Sequence, residues 1–213
     1  MPLVFDWPYY LTLVPALVLA ITCHEFVHAA LANACGDRTA REQGRLTLNP
    51  LAHLDPLGTL MIFLVGFGWG KPVPVNLHRL RHPRADALVS AAGPLTNLLL
   101  AYLAAQWFLI HKAQQPSGVL HSNDWLALWL AVMIQLNLGL CFFNLIPLFP
   151  LDGSHVLPHV LPRDLGARVA AWNHRYGAFV LLGTILLGRF THVDLLAAFL
   201  NPLITFFSRL WLG

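Results

Sequence analysis

Two histidines and a glutamate near the N-terminus have the types and spacing to bind a metal ion and activate water. In His24-Glu25-Phe26-Val27-His28 the imidazoles are four positions apart. On a helix such positions share one face, so both imidazoles can hold one ion. Zinc accepts imidazole nitrogen and, in hydrolases, keeps one position for water. Glu25 precedes His28 by three positions and is near enough to that face to reach such a water.

A third ligand is needed, and the sequence offers Asp152 as the candidate. The carboxylate ends the stretch Asn144-Leu145-Ile146-Pro147-Leu148-Phe149-Pro150-Leu151-Asp152-Gly153. Pro147 and Pro150 break the helix, and Gly153 permits an unusual backbone turn after the carboxylate. Asn144 is expected to brace the broken helix rather than to join the metal shell. The alternative is that Asp152 is an ordinary acid in a loop at a helix end.

The composition places these groups in a membrane protein. Of the 213 residues, 57% are hydrophobic and 11% are charged, and the mean hydropathy is +0.61. Soluble domains usually carry about a quarter charged residues. The net charge of +3 comes from residues in short loops, which argues against nucleic acid as a partner. The lipid bilayer is therefore the expected surrounding of much of the surface.

The apolar stretches predict an all-α polytopic membrane protein with about five transmembrane helices. Four stretches have the length of a span or nearly so, namely 9–34, 87–110, 125–148 and 193–212, and a shorter fifth lies around 176–187. The segment 57–67 is too short to cross and is expected to re-enter the membrane. We expect one domain over 1–213, with a catalytic core at roughly 9–153 and C-terminal helices at 170–213.

The basic residues predict the orientation. They cluster on both sides of the segment 57–67 and again before the fifth span, at Arg38, Arg41, Arg45, Lys71, Arg79, Arg81, Arg84, Arg163, Arg168 and Arg175. Cytoplasmic loops carry the excess of lysine and arginine, so these loops are expected in the cytoplasm and the N-terminus outside. The candidate ligands then lie toward the cytoplasmic face of the cell (inner) membrane.

The segment after 57–67 predicts a short β-strand. Prolines and valines alternate in Lys71-Pro72-Val73-Pro74-Val75-Asn76, which suits an extended chain. The prolines lack N–H groups, whereas Lys71, Val73 and Val75 keep donors on one edge. These three residues are therefore candidates for binding an unwound substrate segment by strand addition.

Three stretches together resemble the signature regions of the site-2 protease family of intramembrane zinc metalloproteases. They are the His24–His28 stretch, Gly93-Pro94-Leu95-Thr96-Asn97 and the Asn144–Gly153 stretch, and they occur in the order of that family. The segment Gly68-Trp69-Gly70-Lys71-Pro72-Val73-Pro74-Val75 also resembles its bacterial members. The likeness covers most of 22–153 and is that of a minimal form without a PDZ domain.

The resemblance implies one zinc ion held by His24, His28 and Asp152, with Glu25 as the catalytic base. It also implies that Asn97 acts near the site, in holding substrate or the developing oxyanion, and that Gly93 and Pro94 have structural roles beside it. The implied partner is a transmembrane protein substrate, cleaved in regulated intramembrane proteolysis.

Two other classes of protein compete with this interpretation. A non-catalytic zinc-binding membrane protein, such as a metal transporter or sensor, would also use the histidines and Asp152. It would have no need of Glu25 as a base beside the metal, and Glu25 therefore discriminates between the two. A purely structural scaffold would bind no metal.

Overall fold

The computed structural model describes residues 7–58, 61, 69–82, 84–115, 124–191 and 194–213, and the regular structure of these residues is helical. The α-helices with described ends are α1 Trp7–Ala34, α2 Thr39–Glu42, α3 Ala85–Ala113, α4 Trp125–Asn144, α5 Gly153–Val160, α6 Arg163–Thr191 and α7 Leu195–Leu212. Two short 3-10 helices, Pro50–Ala52 and Leu77–Arg79, lie in the connection between α2 and α3. The predicted all-helical class is confirmed for the described residues.

Four helices are long and apolar enough to cross a membrane, and they coincide with the four predicted spans. They are Tyr10–Ala34, Ala85–Ala113, Trp125–Asn144 and Leu195–Leu212. The third is shorter than the predicted 125–148 because the helix ends at Asn144, before Pro147. The chain is therefore a multi-pass membrane protein.

The predicted fifth span lies inside α6, which is longer than expected. The helix extends from Arg163 to Thr191, and its first turns carry Arg163, Asp164, Arg168 and Arg175. It does not belong to the four helices whose length and apolar character suit a membrane span, and these four charged residues lie in its N-terminal half. The total of five spans stays a prediction.

The centre of the molecule is a bundle of α1, α3 and α4, in which α3 packs against both of the others. Small residues, including Ala16 and Ala101, let the backbones approach, and larger side chains such as Ile134 and Leu138 fill the remaining space. On the outer face of α3, Leu95, Leu99 and Leu103 recur every four residues and are about half exposed. Such a face suits contact with lipid.

The predicted β element is not confirmed within the described residues. An isolated antiparallel bridge joins Leu54 to Gly70, and the backbone N–H of Lys71 donates to the carbonyl of His53 at 2.8 Å. Residues 71–76 have no partner strand in the described part of the chain. Most of the predicted re-entrant segment 57–67 lies outside the described residues, and its path stays a prediction.

Side chains hold residues 71–76 in place. Arg45 is buried and donates to the carbonyl of Lys71 at 2.6 Å, and the backbone N–H of Asn76 donates to Oδ2 of Asp37 at 2.6 Å. Burial disfavours the Asp37 carboxylate, but hydrogen bonds from Thr39 and Asn76 outweigh it and lower the pKa of Asp37. The segment is thus tied to the polypeptide that follows α1.

Candidate metal centre

The two histidines of α1 face each other inside the bundle. Both side chains are buried, with exposed fractions of 8% for His24 and 7% for His28. Their Nε2 atoms are 3.0 Å apart, and the ring planes are inclined at 76°. The helical spacing of four therefore directs both imidazoles toward one point, as predicted from the sequence.

Asp152 reaches the same point from the loop that follows α4. Its Oδ2 atom is 3.2 Å from Nε2 of His24 and 3.4 Å from Nε2 of His28. Gly153 makes this approach possible, because a Cβ at this position would come closer than 3.0 Å to the carbonyl oxygens of Leu145 and Ile146. The predicted unusual backbone turn at Gly153 is not found, because this residue begins α5 and its φ angle is not among the positive ones; the glycine serves close packing of the backbone instead.

The side chain of Asn173, which the sequence did not indicate, holds this loop. Asn173 of α6 is 2% exposed, accepts from the N–H of Phe149 at 2.8 Å and donates to the carbonyl of Pro147 at 2.9 Å. Asn144 donates at 2.9 Å to the carbonyl of Leu140 in its own helix, as a residue that braces the end of α4 would do. The loop that carries Asp152 is therefore held by α6 through Asn173, while the bond of Asn144 stays within the last turn of α4.

The second nitrogen of each imidazole meets an acceptor. Nδ1 of His28 is 2.7 Å from the carbonyl of Val89, and Nδ1 of His24 is 2.6 Å from Oδ1 of Asn97. An oxygen of either kind can only accept, so each Nδ1 carries the proton. Each Nε2 therefore presents its lone pair toward the other imidazole and toward Asp152.

This set of donors fits a zinc ion. Two nitrogen lone pairs and a carboxylate oxygen at 3.0–3.4 Å from one another repel unless a cation lies among them. Oδ2 of Asp152 is buried and accepts no hydrogen bond within the described residues. Ligands at about 2.0–2.1 Å from a tetrahedral zinc lie roughly 3.3–3.4 Å apart, close to the separations found here. In the described part of the chain these three residues form the group that could hold a metal ion.

Gly93 lies directly against the two imidazoles. A Cβ at this position would be 2.6 Å from Nε2 of His24 and closer still to Nε2 of His28. Pro94 follows inside α3 and is buried. The missing side chain at Gly93 therefore leaves the space in which the three ligand atoms meet.

Glu25 is oriented by the segment 71–76. Its Oε2 atom accepts a hydrogen bond from the backbone N–H of Val73 at 2.9 Å. The N–H groups of Lys71 and Val73 are thus both engaged within the protein, whereas Val75 has no backbone donor bond among those described. Of the three donors predicted to face a substrate strand, the one at Val75 has no partner among the residues that the structure describes.

One site in the structure contains five residues that the sequence predicted for it, namely His24, His28, Asp152, Gly93 and Asn97. Four buried polar residues that hold the surrounding elements were not indicated by the sequence. Asn137, Asn173, Arg45 and Asp37 are buried polar residues in otherwise apolar surroundings or close turns, and burial is a property of the tertiary structure. Their only signal in the sequence is a polar side chain within or beside an apolar run.

The fold and the site together define a class of protein. Two imidazoles with a neighbouring glutamate on a membrane-spanning helix, joined by a distant carboxylate, are the donor set of a metallopeptidase embedded in a helical membrane bundle.

Comparison with known proteins agrees with that class. Residues 108–186 match the model of peptidase family M50. The chain is 38% identical over 209 residues to the protein named "Putative zinc metalloprotease YwhC" of Bacillus subtilis, with 95% of each chain covered. It is 32% identical over 168 residues to "Putative zinc metalloprotease Rip2" of Mycobacterium tuberculosis, which covers 76% of this chain and 62% of that protein. No solved structure matches the chain. The protein therefore belongs to peptidase family M50, the site-2 protease family, and is a metallopeptidase.

Proposed function

We propose that this metallopeptidase uses one zinc ion to hydrolyse peptide bonds of transmembrane or membrane-proximal proteins near the cytoplasmic face. The observation that carries the proposal is the convergence of His24, His28 and Asp152 inside a bundle of span-length helices. His24 and His28 would supply nitrogen ligands and Asp152 an oxygen ligand. When bound, zinc acidifies water and polarises a carbonyl group as a Lewis acid.

Glu25 would act as the general base and then as the general acid. It follows His24 directly, and its carboxylate is kept in one orientation by the N–H of Val73. The free lone pairs of this carboxylate can take the proton of the attacking water and pass it to the leaving amine. A carboxylate that is already positioned loses little conformational freedom during the reaction.

The contacts of Asn97 favour a role in orienting His24. Its side chain is fully buried, Oδ1 contacts His24, and Nδ2 donates to Oδ1 of Asn137 at 2.8 Å and toward the carbonyl of Ala20 at 3.4 Å. A hydrogen bond from Asn97 to a substrate or to a developing oxyanion stays a prediction, and it would require this side chain to turn.

The orientation in the membrane is proposed from the charges. The basic residues beside α2 and before α3 favour a cytoplasmic position for these loops, with the N-terminus outside and the protein in the cell (inner) membrane. His24 and His28 lie in the C-terminal half of α1, which adjoins the first of these loops, and Asp152 meets them there, so cleavage would occur toward the cytoplasmic side.

The decisive test is the variant Glu25→Gln in purified protein. The amide keeps the size of the side chain but cannot accept the proton, so cleavage of a membrane substrate should fall by about 10²–10⁴-fold while zinc content is retained. Zinc is measured by elemental analysis and cleavage by gel assay. Glu42→Gln, which alters an exposed glutamate paired with Arg79, is the matched control and should leave both unchanged.

The rival class of protein has a distinct outcome in the same experiment. A zinc transporter or sensor would retain zinc in the wild type and in Glu25→Gln but would cleave none of a broad set of membrane substrates. That result would contradict the proposed function.

Substrate capture by residues 71–76 is tested at Val75. A transmembrane substrate must unwind before its amides can be cleaved, and an extended segment could pair with it. Val75→Pro removes an N–H that has no partner among the described residues and leaves the bond between Val73 and Glu25 in place. Loss of one backbone hydrogen bond, about 0.5–1.5 kcal/mol, should lower kcat/KM roughly two- to tenfold with zinc retained. Val75→Ala keeps the N–H and is the control; equal activity of the two variants would refute pairing at this position.

A further inference from the structure

A chain of three hydrogen bonds leads from the candidate metal centre into the core of α4. Nδ1 of His24 contacts Oδ1 of Asn97, Nδ2 of Asn97 donates to Oδ1 of Asn137 at 2.8 Å, and Nδ2 of Asn137 donates to the carbonyl of Met133 at 2.9 Å. Asn97 and Asn137 are both 0% exposed. These bonds connect α1, α3 and α4 at the depth of the metal ligands.

Only one direction of donation is compatible with the backbone carbonyl at which this series of hydrogen bonds ends. The carbonyl of Met133 can accept but never donate, so the NH₂ group of Asn137 must face it. The oxygen of Asn137 then faces Asn97 and requires the NH₂ group of Asn97. As a result, the oxygen of Asn97 faces His24 and requires a proton on Nδ1.

The opposite orientation of Asn97 would be unfavourable in this site. A flipped amide would bring its oxygen against the oxygen of Asn137 and close to the carbonyl of Ala20. It would also present NH₂ to Nδ1 of His24, which would then need its proton on Nε2, the atom that faces Asp152 and His28. A protonated Nε2 has no lone pair for a metal ion.

We propose that Asn137 is a positioning residue of the metal centre. By fixing the orientation of Asn97, it keeps the proton of His24 on Nδ1 and the lone pair of Nε2 directed at the ion. His28 needs no such relay, because its Nδ1 faces a backbone carbonyl directly. This inference rests on the proposed binding of zinc by His24, His28 and Asp152.

The test measures the zinc affinity of purified protein in detergent, by competition with a chromophoric chelator. Asn137→Leu removes both hydrogen bonds at similar volume. Asn137→Ser is milder, because its hydroxyl can still bond the carbonyl of Met133 but is too short to reach Asn97. Residues that hydrogen-bond a metal ligand typically contribute 10–100-fold to metal affinity. Because Asn137 acts on His24 only through Asn97, we expect about tenfold weaker zinc binding in both variants.

Two controls separate this role from general packing. Leu138→Ala removes a fully buried side chain of the same helix and should lower Tm with the zinc affinity of the folded protein unchanged. In a double-mutant cycle, Asn137→Leu should weaken zinc binding in the wild-type background but have little further effect in Asn97→Leu. A structural role alone would make the two losses additive.

The proton on His24 gives a second readout. In ¹⁵N-histidine spectra of the metal-free protein, His24 should be the Nδ1–H tautomer in the wild type and a mixture of tautomers in Asn137→Leu. If neither the zinc affinity nor the tautomer of His24 changed in Asn137→Leu and Asn137→Ser, the inference would be overturned. The proposed function would stay intact. A wild-type protein that binds no zinc would overturn the proposed function, and this inference with it.

Discussion

Asp152→Ala should deprive the protein of its zinc and abolish proteolysis. In the proposed centre this carboxylate is the anionic ligand, and its Oδ2 atom lies within 3.4 Å of Nε2 of both imidazoles. Without it the site retains two neutral nitrogens, whereas catalytic zinc sites use three protein ligands. We expect the zinc content to fall from about one ion per chain to near zero, as measured by elemental analysis after dialysis, with loss of cleavage in parallel.

Asp86→Asn is the matched control for this variant. Asp86 lies in the first turn of α3 and pairs with His155 at 3.4 Å, close to α5 but outside the ligand set. Zinc content should therefore be unchanged. If Asp152→Ala kept stoichiometric zinc, the carboxylate would not be a ligand, and the proposed centre would be wrong.

Gly93→Ala should be nearly as damaging, although it removes no ligand. The added methyl group would occupy the space between the two imidazoles, 2.6 Å from Nε2 of His24. α3 is packed against both α1 and α4, so the rings rather than the helix that carries the methyl group would have to move. A displacement of about 1 Å at a catalytic group can cost a hundredfold in rate, and we expect at least about that loss of kcat/KM together with weakened zinc binding.

Gly139→Ala gives the corresponding control in α4. The nearest atom to a Cβ there is Cδ1 of Ile204 at 3.9 Å, which is ordinary contact. Alanine in place of glycine within a helix should stabilise the protein by about 0.5–1 kcal/mol and leave zinc binding unchanged. A Gly93→Ala variant that matched Gly139→Ala in zinc affinity and activity would contradict the close packing at the metal centre.

Residues 71–76 link the proposed substrate contact to Glu25. Val75 is the proposed contact for an extended substrate segment, and the bond between the N–H of Val73 and Glu25 joins the same segment to the proposed catalytic carboxylate. Movement of residues 71–76 would therefore change the orientation of the Glu25 carboxylate. This coupling is a reason to read cleavage and zinc content separately in every variant of the segment.

The amino-acid sequence by itself determined the features of this protein that depend on neighbours along the chain. The spacing of His24 and His28 sets a shared face because the helical repeat is local, and the apolar runs set four spans because the bilayer requires that length. Pro147 and Gly153 also indicated a break after α4, in which Asp152 lies outside the helix.

Only the tertiary structure decided which groups surround the ligands. The relay from His24 through Asn97 to Asn137 joins three helices, and the bond from Val73 to Glu25 spans 48 positions of the sequence. Such pairings depend on the packing of helices, which periodicity along one chain does not encode. For the same reason the donors of residues 71–76, alike in sequence, differ in the folded protein: those of Lys71 and Val73 meet internal acceptors, while that of Val75 has none among the described bonds.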